Sequence, residues 1–158
     1  KTSFSQTLNS GISIYLSKNK DKKYDISLSN DFLFNRNVTS QNSTVKKFNT
    51  NNVRLDATIY YKKTWSVSTN YNLFVRQKTA DFQSNLSNNL WNAKLQHTFK
   101  KDEFTAYIMV RDILNQNIGI ERNFYDNTLS EERNDRLKRY GMIGFAWNFK
   151  NKTAAVKK

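Results

Sequence analysis

The chain of 158 residues contains no cysteine and no proline, four glycines and a single histidine. Without thiols there is no disulfide framework, no thiolate nucleophile and no thiolate metal site. With His97 as the lone imidazole, a multi-histidine zinc site and a His-centred triad are excluded too. No run approaches the ~18 apolar residues that mark a membrane-spanning helix. The acids are scattered and no nucleophile stands beside a plausible base, so neither an enzyme nor a metal or cofactor site is expected. Hydrophobic residues make up 37% and the mean hydropathy is -0.79, too little apolar content for a generous core.

What is present in quantity is Asn, Ser, Thr and aromatic residues, a composition of strands and turns, so the sequence is read at period two. Between residues 4 and 16, Phe4, Leu8, Ile12, Ile14 and Leu16 fall at even positions, with Ser, Thr and Asn between them. The same alternation returns over 24–34, 53–61, 65–76, 91–99, 104–111 and 140–149, giving seven consecutive two-faced antiparallel strands. Connections alternate as well. Residues 18–23, 62–64 and 100–103 are short and lysine-rich, whereas 35–47, 77–90 and 115–138 are longer and rich in Asn, Ser and Asp. Successive antiparallel strands reverse direction, so all short turns lie at one rim and all long loops at the other. That asymmetry belongs to outer-membrane β-barrels, and a soluble sandwich has no reason to keep it. The expected fold is therefore all-β, a set of about seven transmembrane barrel strands, several approaching ~15 residues where about 9–11 cross the bilayer.

Aromatic placement points the same way. Tyr24, Tyr61, Trp65, Phe99, Phe104, Trp147 and Phe149 fall on the apolar face near the short-turn rim, as an interfacial belt on the periplasmic side would.

The last third carries a family resemblance. Asp112, Leu114 and Asn115 form a D-x-L-N element after the sixth strand, and Arg139-Tyr140-Gly141-Met142-Ile143-Gly144-Phe145-Ala146-Trp147-Asn148-Phe149 forms the last. The combination resembles the C-terminal end of TonB-dependent-receptor-like bacterial outer-membrane barrels, in which D-x-L-N precedes a final R-Y-x-M-x-x-F-x-Y-x-F strand. Trp147 stands where Tyr is common, and a basic tail follows where many such barrels stop. The resemblance implies a Gram-negative outer-membrane location and a barrel of about 22 strands with a plug domain, importing solutes with energy delivered through TonB. It also implies that Tyr140, Ile143, Phe145, Trp147 and Phe149 serve as a signal to the barrel-assembly machinery, and that a surface lid lipoprotein is a possible partner. Seven strands leave two open edges, so residues 1–149 are expected to be the C-terminal portion of a larger barrel, with 150–158 as a basic tail. A passive porin or structural barrel is the alternative.

Lys+Arg number 26 against 13 Asp+Glu, a net charge of +13 that ordinarily raises nucleic acid. Here the strand aromatics share a face with Ile, Leu and Val rather than with the cations, which argues against a nucleic-acid surface. Many lysines, among them Lys22, Lys62, Lys63 and Lys100, gather at the short-turn rim, level with phospholipid headgroups. Asp25, Asp31, Arg54, Asp56, Arg76, Lys94 and Arg111 alternate onto the polar face instead. In a barrel that face is the lumen. There they are expected to meet a plug or solute, or to pair with one another across strands.

Overall fold

Beta-branched and aromatic residues on one face, with Asn, Ser and Thr on the other, leave no helical stripe, and in the computed structural model the regular elements among the described residues are all strands. It describes residues 5–39, 44–79, 86–100, 103–117, 119–125 and 128–149. Strands β1 (Ser5–Lys20), β2 (Tyr24–Thr39), β3 (Thr44–Tyr61), β4 (Trp65–Arg76), β5 (Leu86–Phe99) and β6 (Phe104–Arg111) follow as antiparallel neighbours. A separate hairpin of β7 (Ile120–Tyr125) and β8 (Thr128–Arg133) intervenes before β9 (Tyr140–Trp147) pairs with β6. The main sheet thus runs β1-β2-β3-β4-β5-β6-β9, and β1 and β9 each present an open edge among the described residues.

Directly opposed residues share a face, so the register sorts every side chain. One row across the sheet reads Lys20, Tyr24, Ile59, Val67, Leu95, Ile108, Ile143; the next reads Asn19, Asp25, Thr58, Ser68, Lys94, Met109, Met142. The apolar face is uncovered: Ile12 is 68% exposed and Ile143 86%. Among the described hydrophobic residues only Phe48 and Leu86 are buried. A soluble domain buries such a face against a second layer. The hydrocarbon of a bilayer supplies such a layer.

Several strand boundaries differ from the sequence reading. Most of 35–47 is strand, because β2 continues to Thr39 and β3 begins at Thr44; β5 likewise begins at Leu86 rather than near residue 91. Beyond the bilayer neither face meets lipid, so the alternation that signals a strand fades although backbone pairing continues. On β3 the apolar run ends at Val53 and gives way to Asn51 and Asn49 on the same face, with Asn51 accepting a 3.0 Å hydrogen bond from Asn30. The segment 115–138 is not a plain loop, since it holds the β7–β8 hairpin. The last strand ends at Trp147, and the tail 150–158 lies outside the described residues.

The short turns are unusual in one respect. Lys22, Lys62, Lys63 and Lys100 all have positive φ, at 57°, 49°, 60° and 51°, a region that favours glycine and asparagine. On the polar face, Gly144 lies opposite Tyr107, whose ring occupies the space a Cβ would need. Gly144→Val is expected to push that ring aside and cost about 1–3 kcal/mol, read as a lower unfolding midpoint of the full-length protein in detergent; Gly144→Ala should follow with a smaller drop.

Candidate functional site

At the short-turn rim the strand spacing brings rings from four strands into one row. Trp65 stacks on His97 at 4.3 Å, His97 meets Phe99 at 5.6 Å, and Phe99 stacks on Phe104 at 5.7 Å. The row continues through Phe104 and Trp147 at 5.5 Å and Trp147 and Phe149 at 4.1 Å, with Phe145 against both Phe99 and Phe104. Of the seven rim aromatics expected from the sequence, five are therefore joined. Tyr24 and Tyr61 share the face and the rim without entering the stack; the Lys62 ammonium lies 5.2 Å above the Tyr61 ring and the Lys100 ammonium 5.1 Å above Phe104. His97 and Phe145 complete the row, and period-two parity alone identifies them as its members. Ile143, Phe145, Trp147 and Phe149 project to the apolar side, but Tyr140 sits opposite Arg111 on the other face, so the five residues of the expected assembly signal do not form one surface.

The seven strand charges all lie on the polar face, and none is directly opposed to another. The register sets each against uncharged neighbours: Asp25 against Asn19 and Thr58, Asp31 against Ser13 and Asn52, Arg54 against Ser29 and Asn72, Asp56 against Ser27 and Asn70, Arg76 against Thr50 and Leu86, Lys94 against Ser68 and Met109, Arg111 against Tyr140. Cross-strand ion pairing among them is accordingly absent from the described residues, which corrects one of the two expectations for these charges. Asp56 instead accepts a 2.6 Å hydrogen bond from Asn70, whose oxygen accepts from Asn92 at 3.3 Å, whose oxygen in turn accepts from the Asp112 amide at 3.0 Å. This line of aligned amides crosses from β3 to the turn after β6. Arg76 is buried with its guanidinium 4.2 Å over the Phe48 ring, and donates to the Arg122 carbonyl of the β7–β8 hairpin.

The D-x-L-N element is a turn with long-range ties. Asp112 is 4% exposed, and its carboxylate accepts from the Gln116 amide at 2.9 Å and the Asn117 amide at 3.1 Å. Asn115 donates its amide to the Asp112 carbonyl at 2.8 Å, while its side chain accepts from the Arg139 amide at 3.1 Å, fixing the chain where it enters β9. Both residues have positive φ, at 51° and 56°, which Asp and Asn tolerate best after glycine. Leu114 stays on the turn's exposed side.

The hairpin is held by charge. Arg122 and Arg133 each reach Glu131 at 2.8 Å, and Arg136 pairs with Glu121. The hydrogen bond from Arg122, then that from Arg133, hold the Glu131 carboxyl below its usual range. A carboxyl depressed in the folded state adds stability above its unfolded value of about 4.3 and loses it as the pH falls through the folded one. Amide protection of the hairpin in the full-length protein should therefore be level from pH 7 to about pH 5 and decline below about pH 4. Glu131→Gln should already be less protected at neutral pH, as measured by hydrogen exchange.

A sheet with one continuous uncovered apolar face, aromatic rings along its short-turn rim and a charged opposite face defines a protein that crosses a lipid bilayer by strands. Residues 4–147 match the family model described as the outer membrane protein β-barrel family, and the chain belongs to that family. Its place is the bacterial outer membrane. No curated protein and no solved structure matches the chain.

Proposed function

We infer that the chain forms part of the wall of an outer-membrane transporter of TonB-dependent-receptor type, with solute passing along its polar face. The observation that carries the reading is the set of seven charges on the polar face, none of them joined to another by an ion pair among the described residues. Such charges suit a wet conduit and a plug domain of opposite pattern. The D-x-L-N turn tied to the start of the final strand supports the same family reading. The open edges of β1 and β9 need partners within hydrocarbon, and the remaining strands of a barrel supply them. Strand β9, with Ile143, Phe145 and Trp147 exposed, is the element offered to the barrel-assembly machinery. The elaborated long-loop rim gives a surface for a ligand or a lid lipoprotein. At the other rim, lysines held at strained positive φ suggest that charge matters more there than turn comfort, as contact with phospholipid phosphates requires. In this role the chain neither catalyses a reaction nor binds nucleic acid.

The folded full-length protein is expected to need detergent and to migrate differently on gels before and after boiling. Reconstituted in vesicles, a plugged transporter should leak small sugars little, and uptake in cells should stop when inner-membrane energy is dissipated. Free leakage with energy-independent uptake would instead favour a passive porin.

A further inference from the structure

Two of the polar-face cations stand together. The β5–β6 register pairs Lys94 with Met109 and Ala93 with Val110, which sets Arg111 beside Asn92, two positions along β5 from Lys94. Lys94 and Arg111 are therefore diagonal cross-strand neighbours of like charge, an arrangement that weakens a sheet unless something sits between them. No acid of the wall does so. The Lys94 ammonium lies 4.8 Å over the Tyr107 ring, and Arg111 is exposed, with no hydrogen bond or ion pair among the described residues. Asp56, in the same cavity, accepts from Asn70 and makes no ion pair with either cation, and Asp112 accepts from two backbone amides.

Both cations line a cavity of about 320 Å³ on the polar face, together with Asp56, Thr58, Ser68 and Asn70, so two cations face one carboxylate across it. Thr58 and Ser68 share one 3.0 Å hydrogen bond, which leaves one hydroxyl proton to donate. Arg111 also lines a neighbouring cavity of about 280 Å³ that reaches Arg136 and Tyr140. We propose that Lys94 and Arg111 form an anion site on the lumen wall that takes a carboxylate or phosphate group. The guanidinium fork donates to two oxygens in its plane, and the ammonium provides a point charge for a third. The group comes either from a solute in transit or from an acidic side chain elsewhere in the same protein.

The inference rests on the reading of this face as the lumen, but not on energised uptake, so failed transport would leave it standing. The test is the unfolding midpoint of the full-length protein in detergent, titrated with citrate and with inorganic phosphate against sodium chloride at equal ionic strength. With a solute site, either anion raises the midpoint saturably. Lys94→Gln and Arg111→Gln then each raise the half-saturating concentration about tenfold or more, as loss of a charged hydrogen bond entails. Arg54→Gln, on the same face, leaves the response unchanged. With an internal acid, added anions have no effect but both substitutions lower the midpoint, whereas relief of bare like-charge repulsion would raise it. A response retained in both variants, or a midpoint unmoved or raised by the substitutions with no anion response, would overturn the site.

Discussion

Exchanging two adjacent residues, Arg54→Leu together with Leu55→Arg, is expected to keep the full-length protein from reaching its heat-modifiable membrane form, although length, composition and net charge are unchanged. Arg54 lies on the polar face between Ser29 and Asn72; Leu55 lies on the apolar face between Leu28 and Tyr71. Leu55 is the second of five apolar-face positions in the run from Val53 to Tyr61. After the exchange a guanidinium points into hydrocarbon, which costs about 2–4 kcal/mol near the bilayer midplane of a β-barrel. The loss of a leucine from lipid adds about 1–2 kcal/mol. Against a typical total of about 5–15 kcal/mol, that is a large fraction. The single variants apportion it. Leu55→Arg should carry nearly all of the loss and Arg54→Leu little, as measured by the fraction of protein with shifted mobility and by the urea midpoint. Equal tolerance of the two would refute the assignment of faces.

Asp112→Ala is expected to produce the second large effect, about 2–4 kcal/mol, from one buried side chain. Two backbone amides lose a charged acceptor, each such bond being worth about 1.5–3 kcal/mol, while the energy recovered by no longer burying a carboxylate offsets part of the loss. Alanine also fits positive φ less well than aspartate, at a further cost of about 1 kcal/mol. Asp112→Asn keeps one acceptor oxygen and the tolerance for this backbone, so it should lose about half as much. The effect should be local before it is global. Limited proteolysis is expected to open the segment between β6 and β9 at denaturant concentrations that leave β1 to β5 protected. Uniform loss of protection across the sheet would mean that the turn does not act as a separate element.

The sequence made the faces legible because lipid and water sort side chains more strictly than a protein core does. Parity alone assigns Arg54 and Leu55 to opposite sides, and it puts His97 with Trp65 and Phe99. Parity does not give register, however. That Asp31 faces Asn52 and Arg111 lies beside Asn92 depends on the turns, and this is why ion pairing across strands looked reasonable from the sequence. Strand ends were misplaced where the environment stopped sorting. Above the membrane, Asn35, Asn37, Lys46 and Lys47 remain in β2 and β3 with lipid on neither side, so no alternation reports them. The β7–β8 hairpin is not legible in the alternation for a related reason, since its described side chains Arg122, Glu131 and Arg133 are joined by ion pairs. The D-x-L-N element was visible as a resemblance, but its chemistry was not. The capping carboxylate, the two positive-φ residues and the tie to Asn92 emerge only when distant strands meet.

The order of strands in the sheet bears on how the wall assembles. From β1 to β6 each strand pairs with its immediate predecessor, so each addition closes only a short stretch of chain and leaves one row of backbone groups waiting for the next. The step from β6 to β9 alone must reach across an intervening segment. That segment folds on itself, through the β7–β8 hairpin and the Asp112 turn, and the free chain to be closed becomes shorter before β9 arrives. Loosening the turn should therefore slow the docking of the last strand in this stretch while the earlier hairpins form at their usual pace, a kinetic signature separable from any change in equilibrium stability.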